Sequence, residues 1–240
     1  MRWLFLVGRY HTGKNNIEGD VMLPFQEQFI EFALKTGVLR FGEFELKSGR
    51  ISPYFFNTGL FDNGCSMLQF SRFFALSVNN ADLEFDVLFG PAYKGITLSC
   101  GVAMALADST GSDIPFAYNR KEVKSHGEGG NMVGAELKGK VAIIDDVITA
   151  GTAIRESIAM IKDAGAEPSA VFLALDRQEL GQKDGQLMSK SAIQQVEDEY
   201  DIPVVAIATM AHLIEFLKQQ EDQQENLERM QEYRAKYGIK

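Results

Sequence analysis

Apolar residues first recur at helical spacing from Pro24 onward, where Phe25, Phe29, Phe32 and Ala33 share one face and Gly37 supplies a stop. The stretch predicts a helix. From Phe41 to Phe56 the pattern alternates instead: Phe44 and Leu46 are apolar, Lys47-Ser48-Gly49-Arg50 turns, and Ile51-Ser52-Pro53-Tyr54-Phe55-Phe56 comes back. That predicts a hairpin whose return strand lies at an edge, because Pro53 lacks a ladder donor, and so a small antiparallel hood. Between Ser66 and Val78, the residues Leu68, Phe70, Phe73 and Phe74 predict a second amphipathic helix.

Strand, loop and helix units then repeat. Phe85 to Phe89 reads as a strand, Gly90 to Gly95 as a loop and Ile96 to Ala107 as an Ala-rich helix; Ile114 to Tyr118 is the next strand. Arg120 to Gly134 has no apolar periodicity, so a mobile polar loop is expected there. Val141-Ala142-Ile143-Ile144 is a run that fits a strand buried on both faces, and Ile154, Ile158 and Ile161 follow at helical spacing. Ala170 to Leu175 is a strand, Leu180 to Lys190 a polar stretch, Ser191 to Tyr200 a short helix, and Val204 to Ala208 the last strand before a helix carrying Leu213, Phe216 and Leu217. From Gln219 the chain is charged and helix-prone, which predicts a solvated face. The fold class is α/β, with a central, mostly parallel sheet flanked by helices and a small N-terminal hood. One domain is expected over 22–240, its hood at about 22–60, with 1–21 an extension or tag.

Composition narrows the function. The chain has 240 residues, is 45% hydrophobic and carries a net charge of −9, which disfavours nucleic-acid and membrane-surface binding and requires any anionic ligand to meet a local basic cluster. Only two cysteines occur, Cys65 and Cys100, without metal-site spacing, so a reducing cytoplasm fits best. No stretch is long enough to span a bilayer. Gly8 and Gly13-Lys14 stand at P-loop spacing, but Asn15 replaces the required hydroxyl and Gly19 and Pro24 follow where a helix should, so the match is a decoy.

Candidate chemistry gathers around Asp145-Asp146-Val147-Ile148-Thr149-Ala150-Gly151-Thr152-Ala153, a strand end running through a tight loop into a helix. Backbone N–H groups at such an N-terminus, together with the threonine hydroxyls and a glycine that allows close approach, suit a phosphate. An acidic pair at a strand end can be a magnesium site, a hydroxyl binder or a solvated cap. Lys94 lies between two glycines after another strand, either as a cation at the ligand edge or as part of a tight turn. Arg120, Lys121, Lys124 and His126 in a Gly-rich stretch suggest a lid over a polyanion, against the alternative of a solvated basic loop. Arg177 after a strand suits either a surface ion pair or a planar carboxylate, and Phe55 and Phe56 either pack the hood or stack on a planar base.

Taken together, Leu46-Lys47-Ser48-Gly49-Arg50, Ser52 to Asn57, Phe89 to Gly95, Asn119 to Glu122, His126 to Gly130, the 141–153 stretch and Asp176-Arg177-Gln178-Glu179 resemble the orotate phosphoribosyltransferases, a type I phosphoribosyltransferase family. The similarity runs from about Met22 to the C-terminus; 1–21 has no counterpart, and 180–190 is longer than usual. The resemblance implies transfer of the phosphoribosyl group from phosphoribosyl pyrophosphate to orotate in pyrimidine biosynthesis. It implies that Asp145 and Asp146 bind the ribose hydroxyls and that Thr149, Ala150, Gly151, Thr152 and Ala153 hold the 5-phosphate. Lys94, Arg120, Lys121, Lys124 and His126 would face the pyrophosphate. Lys47 and the Phe55-Phe56 backbone would line the orotate pocket, and Arg177 would take the orotate carboxylate. The family also implies Mg2+ on the diphosphate and a homodimer whose lids reach into the partner's site. Two rivals stand beside it: a non-catalytic phosphoribosyl pyrophosphate sensor, and a transferase for another base. The −9 charge without an added DNA-binding segment weighs against the first, and the Lys47, Phe55-Phe56 and Arg177 set against the second.

Overall fold

The computed structural model describes residues 21–46, 49–124, 130–183 and 186–239, with 123, 124, 130 and 183 described through the backbone alone. The hood comes first: α1 (Pro24–Lys35) leads into a hairpin of β1 (Leu39–Glu45) and β2 (Ile51–Phe56). Next come α2 (Gly64–Ala81), β3 (Val87–Gly90), α3 (Lys94–Thr110), β4 (Phe116–Lys124) and β5 (Gly130–Gly134). β6 (Lys140–Asp145), α4 (Thr152–Asp163) and β7 (Glu167–Asp176) precede a second hairpin, β8 (Leu180–Lys183) with β9 (Gln186–Ser191). The chain ends in α5 (Ala192–Tyr200), β10 (Val204–Thr209), α6 (Met210–Lys218) and α7 (Gln224–Tyr237).

The main sheet has the order β10-β7-β6-β3-β4-β5, parallel throughout except for β5 at one edge. β6 is one of its two middle strands, and its apolar run explains why. Successive side chains of a strand point to opposite faces, so Ala142 and Ile144 enter one core while Val141 and Ile143 enter the other. β7 repeats the device, with Phe172 on the first face and Val171 and Leu173 on the second. The first core is closed by α1, α2, α3, α6 and α7, the second by Ile154, Ile158 and Ile161 of α4 with Ile193 and Val196 of α5. Each fully buried large aliphatic or aromatic side chain contributes about 1.5–3 kcal/mol, so the strands are fixed by packing on both faces. Parallel strands put the loops after β3, β6 and β7 on one edge of the sheet, where ligands of open α/β sheets bind.

Three sequence expectations are corrected. The 120–134 stretch is not one structureless loop: β4 continues to Lys124 and β5 returns beside it, pairing Tyr118 with Val133 and Asn119 with Met132. An edge ladder needs little apolar periodicity, because β3 supplies the inner partner. The polar 180–190 stretch likewise holds the β8–β9 hairpin. The charged tail is not only a solvated face, since α7 lays Leu227, Met230 and Tyr233 into the first core. Their three-residue spacing is a helical stripe hidden among charges. The extension 1–20 lies outside the described residues.

Candidate active site

Asp145 closes β6 and Asp146 follows it, so both carboxylates stand at the ligand edge. Asp146 is buried, and its Oδ2 accepts hydrogen bonds from Thr58 Oγ1 at 2.7 Å and from Lys94 Nζ at 2.5 Å. Its Oδ1 accepts from the Val147 amide. Asp145 Oδ1 accepts from the Asp146 amide at 2.8 Å. Burial first, and the adjacent Asp146 charge second, push the Asp145 carboxyl up to about 7. The two acids therefore differ: Asp146 is pinned to a cation, while Asp145 is held by one backbone donor.

Five residues past Asp146, Gly151 adopts φ 77° as the residue that opens α4, and no side chain caps that helix. Its first amides point outward as an anion site. A cavity of about 240 Å³ is lined by Asp145, Val147, Ile148, Thr149, Ala150 and the start of α4 from Gly151 to Ile154. Arg155 braces this loop by donating Nη1 to the Ala150 carbonyl and Nε to Glu199 of α5, both at 2.9 Å. A Cβ at Gly151 would meet Arg155 Nη1 at 2.8 Å, so the glycine answers both a positive φ and a close approach.

Lys94 occupies the first position of α3, directly after the turn that leaves β3. The glycines flanking that turn do serve tight packing, because a Cβ on Gly90 would stand 1.9 Å from the Gly95 carbonyl oxygen. The turn also carries function-bearing geometry: it delivers Lys94 to Asp146. Asn119 Oδ1 of β4 accepts from the Ala92 amide at 2.8 Å, tying the turn to the strand that carries Arg120 and Lys121. Lys121 Nζ lies 4.7 Å above the exposed Tyr93 ring. Lys121, Lys94 and the acidic pair thus form one polar rim. The side chain of Lys124, and all of His126 and Lys47, lie outside the described residues.

Arg177 follows β7 on the same edge. It is not a surface ion pair, since only 15% of its side chain is exposed. Nε and Nη2 both approach Glu179 Oε1, at 2.9 and 2.8 Å, and the guanidinium lies 4.6 Å over the Tyr54 ring. Ser52 Oγ stands 3.5 Å from Nη2. Burial works against the charge, but Tyr54 and Glu179 hold the Arg177 pKa above its ordinary value. Next to it, burial pushes the Asp176 carboxyl up to about 6. The Phe55 ring stacks on Phe44 at 5.4 Å beneath Arg40, and Phe56 meets Phe29 edge-on at 6.3 Å. Both rings therefore pack the hood, and the backbone is what this strand presents elsewhere.

Sequence reasoning did not single out Thr58, Glu179, Arg50 or Arg155 as site residues. Thr58 reaches Asp146 across 88 positions, and Arg50 reaches Leu180 across 130, so no local pattern marks them. The Arg155 signal was available, as the first charged residue of the helix that Gly151 opens. Among the described residues no three of His, Cys, Asp and Glu form a metal-holding group, and no helix is long and apolar enough to cross a membrane.

Comparison with known proteins places this geometry. A model of the phosphoribosyl transferase domain matches residues 61–201. An orotate phosphoribosyltransferase of Chromohalobacter salexigens is 53% identical over 225 residues, which is 90% of this chain and 96% of that protein. One from Chromobacterium violaceum is 55% identical over 218 residues, 91% of this chain and 99% of its own. A crystal structure of orotate phosphoribosyltransferase from Francisella tularensis superposes with a TM-score of 0.79 at 43% identity, covering 88% of this chain and 99% of that one.

Proposed function

The chain belongs to the orotate phosphoribosyltransferases, and from that membership we propose how its residues carry out the reaction. The enzyme transfers the 5-phosphoribosyl group from phosphoribosyl pyrophosphate to orotate, giving orotidine 5-phosphate and pyrophosphate, a step of pyrimidine biosynthesis. The observation that carries the residue roles is the convergence on one sheet edge of the Asp145–Asp146 pair, the uncapped α4 N-terminus and Lys94.

In this reading the amides and hydroxyls of Thr149 to Ala153 hold the 5-phosphate, and Asp145 and Asp146 accept from the ribose hydroxyls. Anchored at both points, the sugar keeps C1 facing the base. The orotate ring nitrogen then bonds to C1 while the bond from C1 to the diphosphate oxygen breaks; that bond's electron pair leaves with pyrophosphate, and the proton of the ring nitrogen passes to the leaving anion or to water. Charge grows on both the ribose ring and the leaving group, so positioning and electrostatic stabilisation do the work and no protein nucleophile is required. Lys94, Arg120, Lys121, Lys124 and His126 neutralise the departing anion, the last two from a lid. Lys47 and the Phe55-Phe56 backbone line the base pocket, and Arg177 takes the orotate carboxylate with its fork.

When bound, Mg2+ would supply charge neutralisation at the diphosphate. The chain's own carboxylates are engaged, Asp146 by Lys94 and Thr58 and Asp145 by the Asp146 amide, so the cation would be carried mainly by the substrate's oxygens and water. The domain spans 22–240 with the hood at about 22–60, and residues 1–21 stand outside it. Relatives matched over nearly their whole length cover 91% of this chain, in keeping with a single domain over most of it. The enzyme works in the cytoplasm as a homodimer with shared active sites; the free thiols of Cys65 and Cys100 suit such a compartment.

Replacing Arg177 with alanine tests the base assignment. The KM for orotate should rise at least about tenfold, the equivalent of one charge-assisted contact, with the KM for phosphoribosyl pyrophosphate unchanged. Steady-state kinetics in which both constants stay at their parental values would remove Arg177 from the base pocket.

A further inference from the structure

A buried polar cluster behind Arg177 has no part in the roles assigned so far. At its centre is Glu179, held between two arginines. Its Oε1 takes Nε and Nη2 of Arg177, and its Oε2 lies 3.6 Å from Nη1 of Arg50. The Tyr54 hydroxyl adds a longer contact to Oε1 at 3.4 Å. Side-chain exposure is 8% for Arg50, 12% for Glu179 and 15% for Arg177, so the three charges interact through protein rather than through solvent.

Charge balance gives the cluster its meaning. A buried Arg177–Glu179 pair alone would be neutral, and an incoming carboxylate would meet the Glu179 anion beside the guanidinium that receives it. Like charges that close are costly in a low-dielectric site. Arg50 changes the sum: two guanidinium groups face one carboxylate, leaving one positive charge for one anionic ligand. Asp176 does not cancel it through an ion pair, because its Oδ1 turns to the Gln178 amide at 2.7 Å. Glu179 occupies the Nε–Nη2 edge of Arg177 and Ser52 Oγ stands 3.5 Å from Nη2, so an incoming carboxylate would approach from the Nη1 side.

Arg50 cannot itself be that ligand. Its Nε donates to Gln182 Oε1 and its Nη2 to the Leu180 carbonyl, each at 3.1 Å, and Nη1 faces Glu179. Its guanidinium rests 4.9 Å over the Tyr237 ring of α7. Every donor edge is engaged, and the β8–β9 hairpin and the C-terminal helix both hold it in place. Neither element has a part in the roles assigned to the transfer reaction.

We propose that Arg50 is a positioning and charge-balancing residue for the base carboxylate, acting through Glu179 on Arg177. The inference rests on the reading of Arg177 as the carboxylate receptor. It gives the hairpin over 180–190 a purpose, as the outer wall that fixes Arg50, and it makes α7 a supporting element of base selection.

The test compares orotidine 5-phosphate with uridine 5-phosphate, two nucleotides that differ only in the carboxylate, by calorimetry on the full-length protein. In Arg50→Gln the Kd for orotidine 5-phosphate should rise about tenfold, equivalent to about 1.4 kcal/mol, while that for uridine 5-phosphate stays within about twofold. Arg50→Lys, which keeps the charge but not the fork, should recover part of the loss. Equal weakening of both nucleotides would mean that Arg50 only supports the fold, and unchanged binding of both would mean that it has no role; either result overturns the proposal. Arg177→Ala separates the two levels of argument. If that variant still prefers orotidine 5-phosphate, the base assignment fails and this inference fails with it. If the preference is lost in Arg177→Ala but intact in Arg50→Gln, only the inference fails.

Discussion

At the scale of single residues, the two adjacent acids show how position sets chemistry. Asp145 and Asp146 are identical side chains on neighbouring positions, yet Asp146 is tied to Lys94 and Thr58 while Asp145 has one amide and sits beside another carboxylate. Its folded pKa of about 7 lies above the ordinary aspartate value of 3.8, so the folded chain keeps a proton that the unfolded chain has released. Stability from this group is therefore fully present below the ordinary value and is lost as pH rises through about 7. Asp145→Asn should melt a few degrees above the parent at pH 8, the gap closing towards pH 4, and should weaken phosphoribosyl pyrophosphate binding. Melting curves across that range check it; a gap that does not change with pH would show that Asp145 ionisation carries no such cost. The pair itself was legible in the sequence because it terminates an apolar run. Its partner Thr58 was not, since a hydroxyl far away in the chain becomes a ligand only through the tertiary fold.

At the scale of elements, legibility followed packing. β6 and β7 were readable because strands buried on both faces must be continuously apolar, and α1 because one face and a glycine stop were both present. β5, β8 and β9 were not, because edge and hairpin strands are held by backbone ladders to neighbours chosen elsewhere in the fold. α7 lies between these cases: its stripe of Leu227, Met230 and Tyr233 is correct in spacing but diluted by charge. Because Met230 is fully buried, Met230→Ala should cost about 2–5 kcal/mol of stability. Urea unfolding monitored by circular dichroism measures it, and a loss within error of zero would mean that α7 is not packed as described. The roles expected of Lys124, His126 and Lys47 rest on motif resemblance alone, since a Gly-rich basic stretch has no periodicity to read and these side chains lie outside the described residues.

At the scale of the molecule, an acidic chain must meet two anionic substrates with local groups of cations. The net charge of −9 coexists with Lys94 and Arg177, just past β3 and β7, and with Arg120 and Lys121 on β4. In the proposed reading, backbone amides at α4 hold the monoester phosphate, the basic rim faces the diphosphate, and Arg177 receives the base, so that each substrate group has its own kind of donor. The proposed homodimer predicts sedimentation at twice the chain mass of 26.7 kDa, and a single species at the chain mass would refute it. The most direct measurement of the whole account is the ultraviolet absorbance of orotate during incubation with the purified protein. Absorbance should fall only when phosphoribosyl pyrophosphate and magnesium are both added, with pyrophosphate released in equal amount, and uracil should not substitute for orotate. A steady orotate signal under those conditions, or equal consumption of uracil, would contradict it.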